Sequence, residues 1–191
     1  MNESDTLASL ARQATGGDER ALEELLAELG PQLVRTVRLV VGAGSPVAED
    51  AAQEAVIDVI RGIGKLREPR AVRAWAMRVA TARAVKVARR ERLRSLLQPL
   101  VEAPESAVIP PDNGVADLKR AFDRLPPRMR AIAVLRLYNG LSEQETATTL
   151  GCSVGAVKSQ LNEARRRLAD MLEAEGLRPS ASHVAREAPE S

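Results

Sequence analysis

Two capping signals separated by a glycine distinguish the segment between Leu125 and Leu172. Ser142 and Glu145 stand at capping-box spacing, in which the hydroxyl accepts the third helical N–H and the carboxylate accepts the cap's own N–H. Gly151 can adopt the positive φ of a tight turn, and Ser153 can cap a second helix. Two helices joined in this way form a helix-turn-helix, which predicts duplex DNA as the first partner to consider.

The second predicted helix would bury one side and present the other. Its apolar residues recur every three or four positions, namely Val157, Leu161, Ala164, Leu168 and Met171. The first residues of such a helix meet base edges, which predicts a DNA-binding set of Ser153, Val154, Gly155, Lys158, Ser159 and Gln160. Arg165 and Arg166, in a run of three arginines, suit phosphates. A helical hairpin with a solvated basic side is the competing interpretation, but caps, turn and arginines in register favour DNA binding.

Charge is distributed very unevenly along a chain whose formal net charge is only +2. Residues 1–60 hold four basic residues against eleven acidic ones, whereas residues 61–94 hold twelve basic residues against two acidic ones. A cationic stretch of this kind attracts phosphate, and its binding weakens steeply with salt because counterions are released. The middle of the chain is therefore a second candidate for nucleic-acid contact.

The rare residue types exclude several functional classes. With Cys152 as its one cysteine and His183 as its one histidine, the chain lacks a disulfide framework, a zinc ligand set and a pair for nucleophilic catalysis. We expect no cofactor, no metal and no enzymatic activity. Trp75, Phe122 and Tyr138 are too few for a platform that stacks single-stranded bases. The sequence has neither a run long enough to span a bilayer nor a secretory signal, so we expect no membrane insertion and a cytoplasmic location.

Helical periodicity without sustained alternation predicts an all-α protein. The predicted helices of the first half cover residues 5–14, 18–30, 33–42, 46–60 and 69–94. Gly30 and Pro31 predict a break, because proline lacks the N–H that a helix interior needs. Ser45 before Pro46 predicts a cap followed by the proline favoured at the first helical position.

Prolines divide the chain into two modules. Four of them, at 99, 104, 110 and 111, exclude regular helix and predict a linker over residues 96–113. The linker would join two small helical domains, over residues 5–95 and 114–174. The polar, aperiodic tail over residues 175–191 is expected to be disordered.

Specific motifs in both modules point to one family. The second module has Leu141-Ser142, Ala147, Leu150-Gly151-Cys152, Gly155, Val157-Lys158-Ser159, Leu161 and Ala164-Arg165 in matching places. The first has an acidic, glutamine-containing helix over residues 49–54 and a tryptophan in an arginine-bearing helix over residues 73–80, followed by Arg89-Arg90. With these motifs the chain resembles the extracytoplasmic-function sigma factors, which retain regions two and four of the sigma-70 family. The resemblance covers about residues 5–95 and 112–174.

The resemblance implies a factor that binds core RNA polymerase and directs promoter recognition and transcription initiation. The polymerase clamp would grip the acidic helix through Glu49, Asp50, Gln53, Glu54 and Asp58. Region two, a helical bundle, would face the minus-ten element through the loop over residues 66–72 and the basic helix, which implies DNA contacts by Arg67, Arg70, Arg83, Lys86 and Arg90. Region four would read the minus-thirty-five element in the major groove. An anti-sigma factor is a further partner implied by resemblance alone.

A stand-alone helix-turn-helix regulator is the alternative hypothesis. Such a regulator would dimerise and bind an operator unaided, whereas a sigma factor would be a monomer when free. Trp75 is expected to be a buried anchor more than a base-stacking residue, and Val56, Ile57 and Val59 are expected in the core. The sigma hypothesis further supposes two separate helical bodies, each with a cationic surface.

Overall fold

The computed structural model describes residues 3–42, 44–97 and 115–174. Within that part of the chain all regular structure is helical and no strand is present, which confirms the predicted all-α class. The helices are α1 (Glu3–Thr15), α2 (Glu19–Val41), α3 (Ala48–Gly62), α4 (Val72–Leu97), α5 (Val115–Arg124), α6 (Pro127–Ala133), α7 (Glu143–Leu150) and α8 (Val154–Ala174). Short 3₁₀ turns cover Ile63–Lys65 and Pro69–Ala71, and a π-helical turn covers Val134–Tyr138.

The predicted break at Gly30 and Pro31 was wrong, because helix α2 continues through both residues. Pro31 lies on the exposed side of the helix, where water can satisfy the carbonyl that loses its N–H donor. Gly30 has no Cβ to clash with the proline ring. Buried residues continue on one face across both positions, and this packing outweighs the local penalty. They include Leu25, Leu29, Leu33 and Val37.

The start of α3 also differs from the prediction. Its N-cap is Val47, which makes no side-chain capping bond, and Ser45 does not act as the cap. The Ser45 N–H instead donates to the Gly42 carbonyl at 3.0 Å, and the Ser45 carbonyl accepts from Ala48 N at 3.1 Å. The serine is thus part of a tight turn that reverses the chain after α2.

The first bundle consists of α1 to α4, with α2, α3 and α4 packed pairwise against one another. Its core is aliphatic and rich in alanine. Helix α4 buries an alanine at every fourth position, Ala76, Ala80, Ala84 and Ala88, and α3 buries Ala51, Ala52 and Ala55. Residues four apart form one ridge of a helix surface, and small side chains on that ridge let the neighbouring helices approach closely.

The second half consists of α5 to α8. One of its clusters joins α5 and α6 to α8 through Ala121, Leu125, Met129, Ala164 and Leu168. A second cluster joins α7 and the start of α8 to Ile132, through Ala147, Val157 and Leu161. The predicted apolar stripe of the last helix is thereby confirmed as the side that it buries.

The two halves pack against each other, in contrast to the expectation of separate bodies. Ala131, Val134 and Leu135 from the second half are buried within the cluster that forms the core of the first bundle. Helix α7 lies against α4, and α6 contacts both α2 and α4. The predicted linker starts too early, because residues 96 and 97 belong to α4. The rest of the linker up to residue 113 and the predicted disordered tail lie outside the described residues.

Gly62 gives a test of the packing between α3 and the first turns of α4. A Cβ at this position would lie 3.0 Å from Cζ2 of Trp75. We expect Gly62→Ala to displace the indole and to lower the free energy of unfolding by about 1–3 kcal/mol, the usual cost of overpacking. Gly64→Ala is the control, because nothing lies within 4 Å of its added Cβ. Chemical denaturation followed by fluorescence of Trp75 measures both effects, and equal stabilities of the two variants would contradict the assignment.

Candidate functional site

The helix-turn-helix has the local geometry that its sequence predicted. Glu145 N donates to Ser142 Oγ at 3.2 Å, and Ser142 N donates to Glu145 Oε2 at 2.7 Å, which completes the capping box. Gly151 has φ 59° in the left-handed region and ends α7. Ser153 Oγ accepts from Ala156 N at 3.2 Å at the start of α8. These four local features fix the angle at which α8 leaves the turn.

The first turns of α8 present a mixed polar surface. Gly155, Lys158 and Ser159 are exposed, as is the capping residue Ser153, while Val154 and Gln160 are half-buried. Lys158 Nζ lies 3.5 Å from Glu143 Oε2 of the preceding helix. An exposed ion pair of this kind contributes little stability, so the ammonium group is available to exchange Glu143 for another anion. The predicted base-reading residues therefore occupy one accessible helix end.

The arginine run further along α8 is partly neutralised from within the helix. Glu163 accepts from Arg166 Nε at 3.1 Å and from Arg167 Nε at 2.7 Å. The bonds from Arg167 and Arg166 lower the pKa of the Glu163 carboxyl, and the same carboxylate raises the pKa of Arg166. Arg165 is exposed. One carboxylate pairs with two guanidinium groups, so Glu163, Arg166 and Arg167 together keep a net positive charge. Arg165 adds to that charge.

The acidic helix α3 presents its predicted contact residues on the surface. Glu49, Asp50, Gln53 and Glu54 are exposed, and Asp58 is half-buried at the edge. Glu49 accepts from Arg38 Nε of α2 at 2.8 Å.

Two apolar residues lie among these acidic side chains. Ile57 and Ile60 are 41% and 38% exposed, so the expectation that Ile57 belongs to the core was wrong, whereas Val59 is buried as expected. Helical geometry places both isoleucines on the outer face, between the polar positions. Ile60 was not among the predicted contact residues, although its spacing of seven residues from Gln53 places it on the same face. Exposed apolar area with a polar rim is typical of a protein-binding surface.

Arg83 does not lie free on the basic helix. Its Nε donates to Asp58 Oδ2 at 2.7 Å and its Nη1 donates to Glu54 Oε2 at 2.9 Å. The guanidinium therefore bridges α4 to α3 and orients two carboxylates of the acidic face. This contact associates Arg83 with the predicted polymerase-binding residues, although the sequence had placed it in the DNA-binding set.

The remaining predicted cations of the first bundle are accessible. Arg67, Arg70, Lys86 and Arg90 are exposed. The structure adds two residues that the prediction did not include, because Arg78 and Arg89 are also exposed on α4. Positions 78, 82, 86 and 89 are spaced by four, four and three residues, so they follow one helix face. The spacing can be seen in the sequence, but the sequence does not show which face of α4 is exposed to solvent. The packing of α4 in the bundle shows it.

Trp75 occupies a position between core and surface. It is half-buried and packs against the core of the first bundle, with its ring tip facing Gly62.

Across the described ranges, no three His, Cys, Asp or Glu side chains come together as metal ligands. The same residues include no helix with the length and apolarity required to cross a membrane.

Comparisons with known proteins agree with this geometry. The family models described as Sigma-70 region 2 and Sigma-70, region 4 match residues 25–94 and 116–168. The chain is 32% identical over 184 residues to the ECF RNA polymerase sigma factor SigD of Mycobacterium tuberculosis, covering 90% of this chain and 86% of SigD. It is 33% identical over 171 residues to SigM of the same organism, covering 86% and 84%.

A solved structure extends the comparison to the whole fold. The structure of CnrH in complex with the cytosolic domain of CnrY aligns at a TM-score of 0.66 with 25% sequence identity, covering 89% of this chain and 99% of that chain. Two sigma-70 regions on one all-helical scaffold define the class as a sigma factor. The chain belongs to the extracytoplasmic-function group of the sigma-70 family. As such it binds core RNA polymerase and directs promoter recognition, and the alternative of a stand-alone regulator is not favoured.

The capping box makes the helix-turn-helix sensitive to acid. Hydrogen bonds from Ser142 lower the pKa of the Glu145 carboxyl. A depressed pKa in the folded state contributes stability above the ordinary glutamate pKa, and this stability is lost as pH falls through the lowered value. We expect NMR titration of the Glu145 carboxyl to show a midpoint below the ordinary glutamate pKa. We also expect Glu145→Gln to reduce the loss of Tm between about pH 6 and about pH 3, and Glu173→Gln, the same change at an exposed position of α8, is the control. An ordinary midpoint for Glu145 would contradict the assignment.

Proposed function

We propose that α3 is the polymerase-docking surface of this sigma factor, acting through Glu49, Asp50, Gln53, Glu54 and Asp58 around Ile57 and Ile60. The observation that carries the proposal is the exposed apolar pair that follows the acidic and amide side chains along the outer face of α3. Apolar contact supplies affinity at the centre of an interface, and complementary charge at the rim supplies orientation and association rate. A basic helical element of the polymerase is the chemistry that such a surface fits.

Arg83 is proposed here as a positioning residue for that surface. Its two ion pairs hold the Glu54 and Asp58 carboxylates in place before docking. A basic partner would then bind carboxylates that are already held in position, which lowers the entropy cost of ordering these side chains on binding. We therefore assign Arg83 to the polymerase surface and no longer to the DNA surface.

The minus-ten surface is proposed to consist of the loop over residues 66–72 and the outer face of α4. The exposed cations Arg67, Arg70, Lys86 and Arg90 are the predicted contacts, joined by Arg78 and Arg89. A loop beside a cationic helix suits capture of an unstacked base, since the helix can hold the phosphates on either side. Trp75 is assigned to packing, in keeping with its contacts to the core.

The minus-thirty-five surface is proposed to be the first turns of α8, from Ser153 to Gln160. Lys158 would meet a base edge, while Arg165 and Arg166 would meet phosphates. Recognition of this kind needs no catalytic group, so the protein contributes specificity while chemistry stays with the polymerase. Its place of action would be the cytoplasm, with the polymerase.

An inhibitory partner is a further part of the proposal. CnrH, a structural relative, was solved with the cytosolic domain of CnrY. We infer that this chain too is controlled by an anti-sigma factor, and that it is a monomer when no partner is bound.

Charge reversal tests the docking surface. We expect Asp50→Lys to weaken the affinity for core polymerase by about tenfold or more, because it places like charges in contact. Glu23→Lys is the control, since it makes the same change of net charge at an exposed site on α2. Fluorescence anisotropy with labelled protein measures both affinities, and circular dichroism checks that each variant folds. Equal affinities for the two variants would refute the assignment of α3.

Two substitutions in α8 distinguish base contact from phosphate contact. With holoenzyme on a library of minus-thirty-five sequences, Lys158→Ala should cost about 1–3 kcal/mol on the preferred sequence and relax the preference. Arg165→Ala should weaken binding evenly across the library and reduce the slope of log affinity against log salt by about 1. Arg12→Ala, an exposed cation on α1, is the control. Unchanged sequence preference in Lys158→Ala would contradict its role.

A further inference from the structure

A cavity of about 510 Å³ lies where the end of α4 meets α5 and α6. Helices α2 and α4 of the first bundle form one part of its wall, and α5 and α6 of the second half form the other part. None of the residues assigned above to polymerase or promoter lines it. A volume of this order is typical of sites for small molecules, so the cavity is a candidate site for a ligand that would touch both halves.

Arginines from three helices line this cavity. Its charged lining consists of three cations and two carboxylates, namely Arg92, Arg124, Arg130, Glu91 and Asp123. Both carboxylates are already paired, because Glu91 Oε1 lies 3.0 Å from Arg94 Nη1 and Asp123 Oδ1 accepts from Arg130 Nη1 at 2.9 Å. Among the described residues, no carboxylate pairs with Arg92. The lining therefore carries net positive charge, which attracts an anion.

Arg130 is the buried member of this group. It is 6% exposed, and its Nε has no hydrogen-bond partner within the part of the chain that the structure describes. Burial lowers the pKa of Arg130, Asp123 opposes that shift, and the positive charge of Arg92 adds to it. One carboxylate thus compensates only in part for a guanidinium that is buried near a second cation. An anion in the cavity would supply further negative charge to this group.

The chemistry of the lining indicates the class of anion. Guanidinium groups donate to phosphate oxygens in pairs, which makes arginine well suited to phosphate recognition. Ser45 and Ser95 add hydroxyl groups, and Val41, Ala88 and Leu96 form an apolar part of the wall. Several arginines around one cavity suit two adjacent phosphate groups better than a single one. A concave site between helices also differs from the continuous cationic groove that follows a nucleic-acid strand.

We propose that this cavity binds a diphosphate group, carried by inorganic pyrophosphate or by a nucleoside diphosphate, through Arg92 and Arg124 with Arg130 as the buried cation. In a nucleoside diphosphate the sugar and base would lie against the apolar part of the wall. Because residues of both halves would touch the ligand, its binding would stabilise the contact between them by mass action. The site is separate from the polymerase and promoter surfaces, and its assignment does not depend on theirs.

Calorimetric titration of the full chain tests the ligand class. At constant ionic strength, we expect pyrophosphate to bind about tenfold more tightly than inorganic phosphate, and Arg92→Gln to weaken pyrophosphate binding about tenfold through the loss of charge-assisted hydrogen bonds. Arg61→Gln is the control, because it makes the same change at an exposed residue of α3 that does not line the cavity.

A titration with ADP distinguishes the two sources of the diphosphate. Tighter binding of ADP than of pyrophosphate would identify a nucleoside diphosphate as the ligand, whereas equal or weaker binding would identify the inorganic ion. Equal affinities of the unaltered protein and Arg92→Gln for pyrophosphate would overturn the proposal. The same holds if Arg61→Gln weakens binding as much as Arg92→Gln does.

Hydrogen exchange of the full chain, with and without pyrophosphate, locates the site. We expect slower amide exchange in both parts of the wall, over residues 88–96 and 123–130, and no change over residues 142–160 of the helix-turn-helix. Slower exchange in only one half, or equally in the helix-turn-helix, would show nonspecific association and overturn the proposal. A single-stranded oligonucleotide of about 10 nucleotides is the comparison. If it, and not pyrophosphate, slowed exchange in the wall, the cavity would bind nucleic-acid phosphates and the diphosphate assignment would be wrong.

Discussion

Close approach of alanine-lined helices is the constraint on which the rest of the structure depends. The chain has only three aromatic residues, so its core cannot be filled by a few large side chains. Helix α4 instead buries alanines at every fourth position, and α2 and α3 pack directly onto that ridge. Small interior residues allow little repacking, because any larger side chain would force the helices apart.

This packing also decides where the charges lie. Once the alanine ridge faces inward, the long basic side chains of α4 are left on the outside, and the acidic side chains of α3 are left on the neighbouring surface. Arg83 stands at the boundary, bonded to Glu54 and Asp58. Two surfaces of opposite charge therefore lie on adjacent helices of one small bundle. An anionic polymer and a cationic protein can each be drawn to a different side of it.

The contact between the two halves is also made by a few aliphatic side chains. Ala131, Val134 and Leu135 complete the core of the first bundle, and Asn139 adds a directional bond to a buried hydroxyl. An interface made of a few aliphatic side chains and a few polar bonds is typical of contacts between domains of one chain, which are more polar than obligate interfaces. Such an interface is suited to a conformational equilibrium, since only a modest free energy is needed to shift it.

Local signals in the sequence were sufficient for the helix-turn-helix. The Ser142–Glu145 box, Gly151 and the Ser153 cap act within three or four residues, and each was found as predicted. Local rules failed at Pro31 and Ser45, where burial on one face of α2 and a turn after Gly42 outweighed the proline and serine preferences. Local rules also failed at Ile57. Periodicity indicates that one side of a helix is buried, but it does not show whether each apolar residue of the helix is covered by a neighbour.

The amino-acid sequence by itself determined the helical class, the caps and turn of the DNA-reading module and the separation of acidic from basic segments, because these depend on short-range spacing and composition. The tertiary structure alone decided that Arg83 bonds Glu54 and Asp58 of α3, that Ile57 and Ile60 remain exposed, and that Asn139 bonds Thr36 across the two halves. These outcomes depend on which helices meet and at what rotation, and that is set by the packing of the whole core at once.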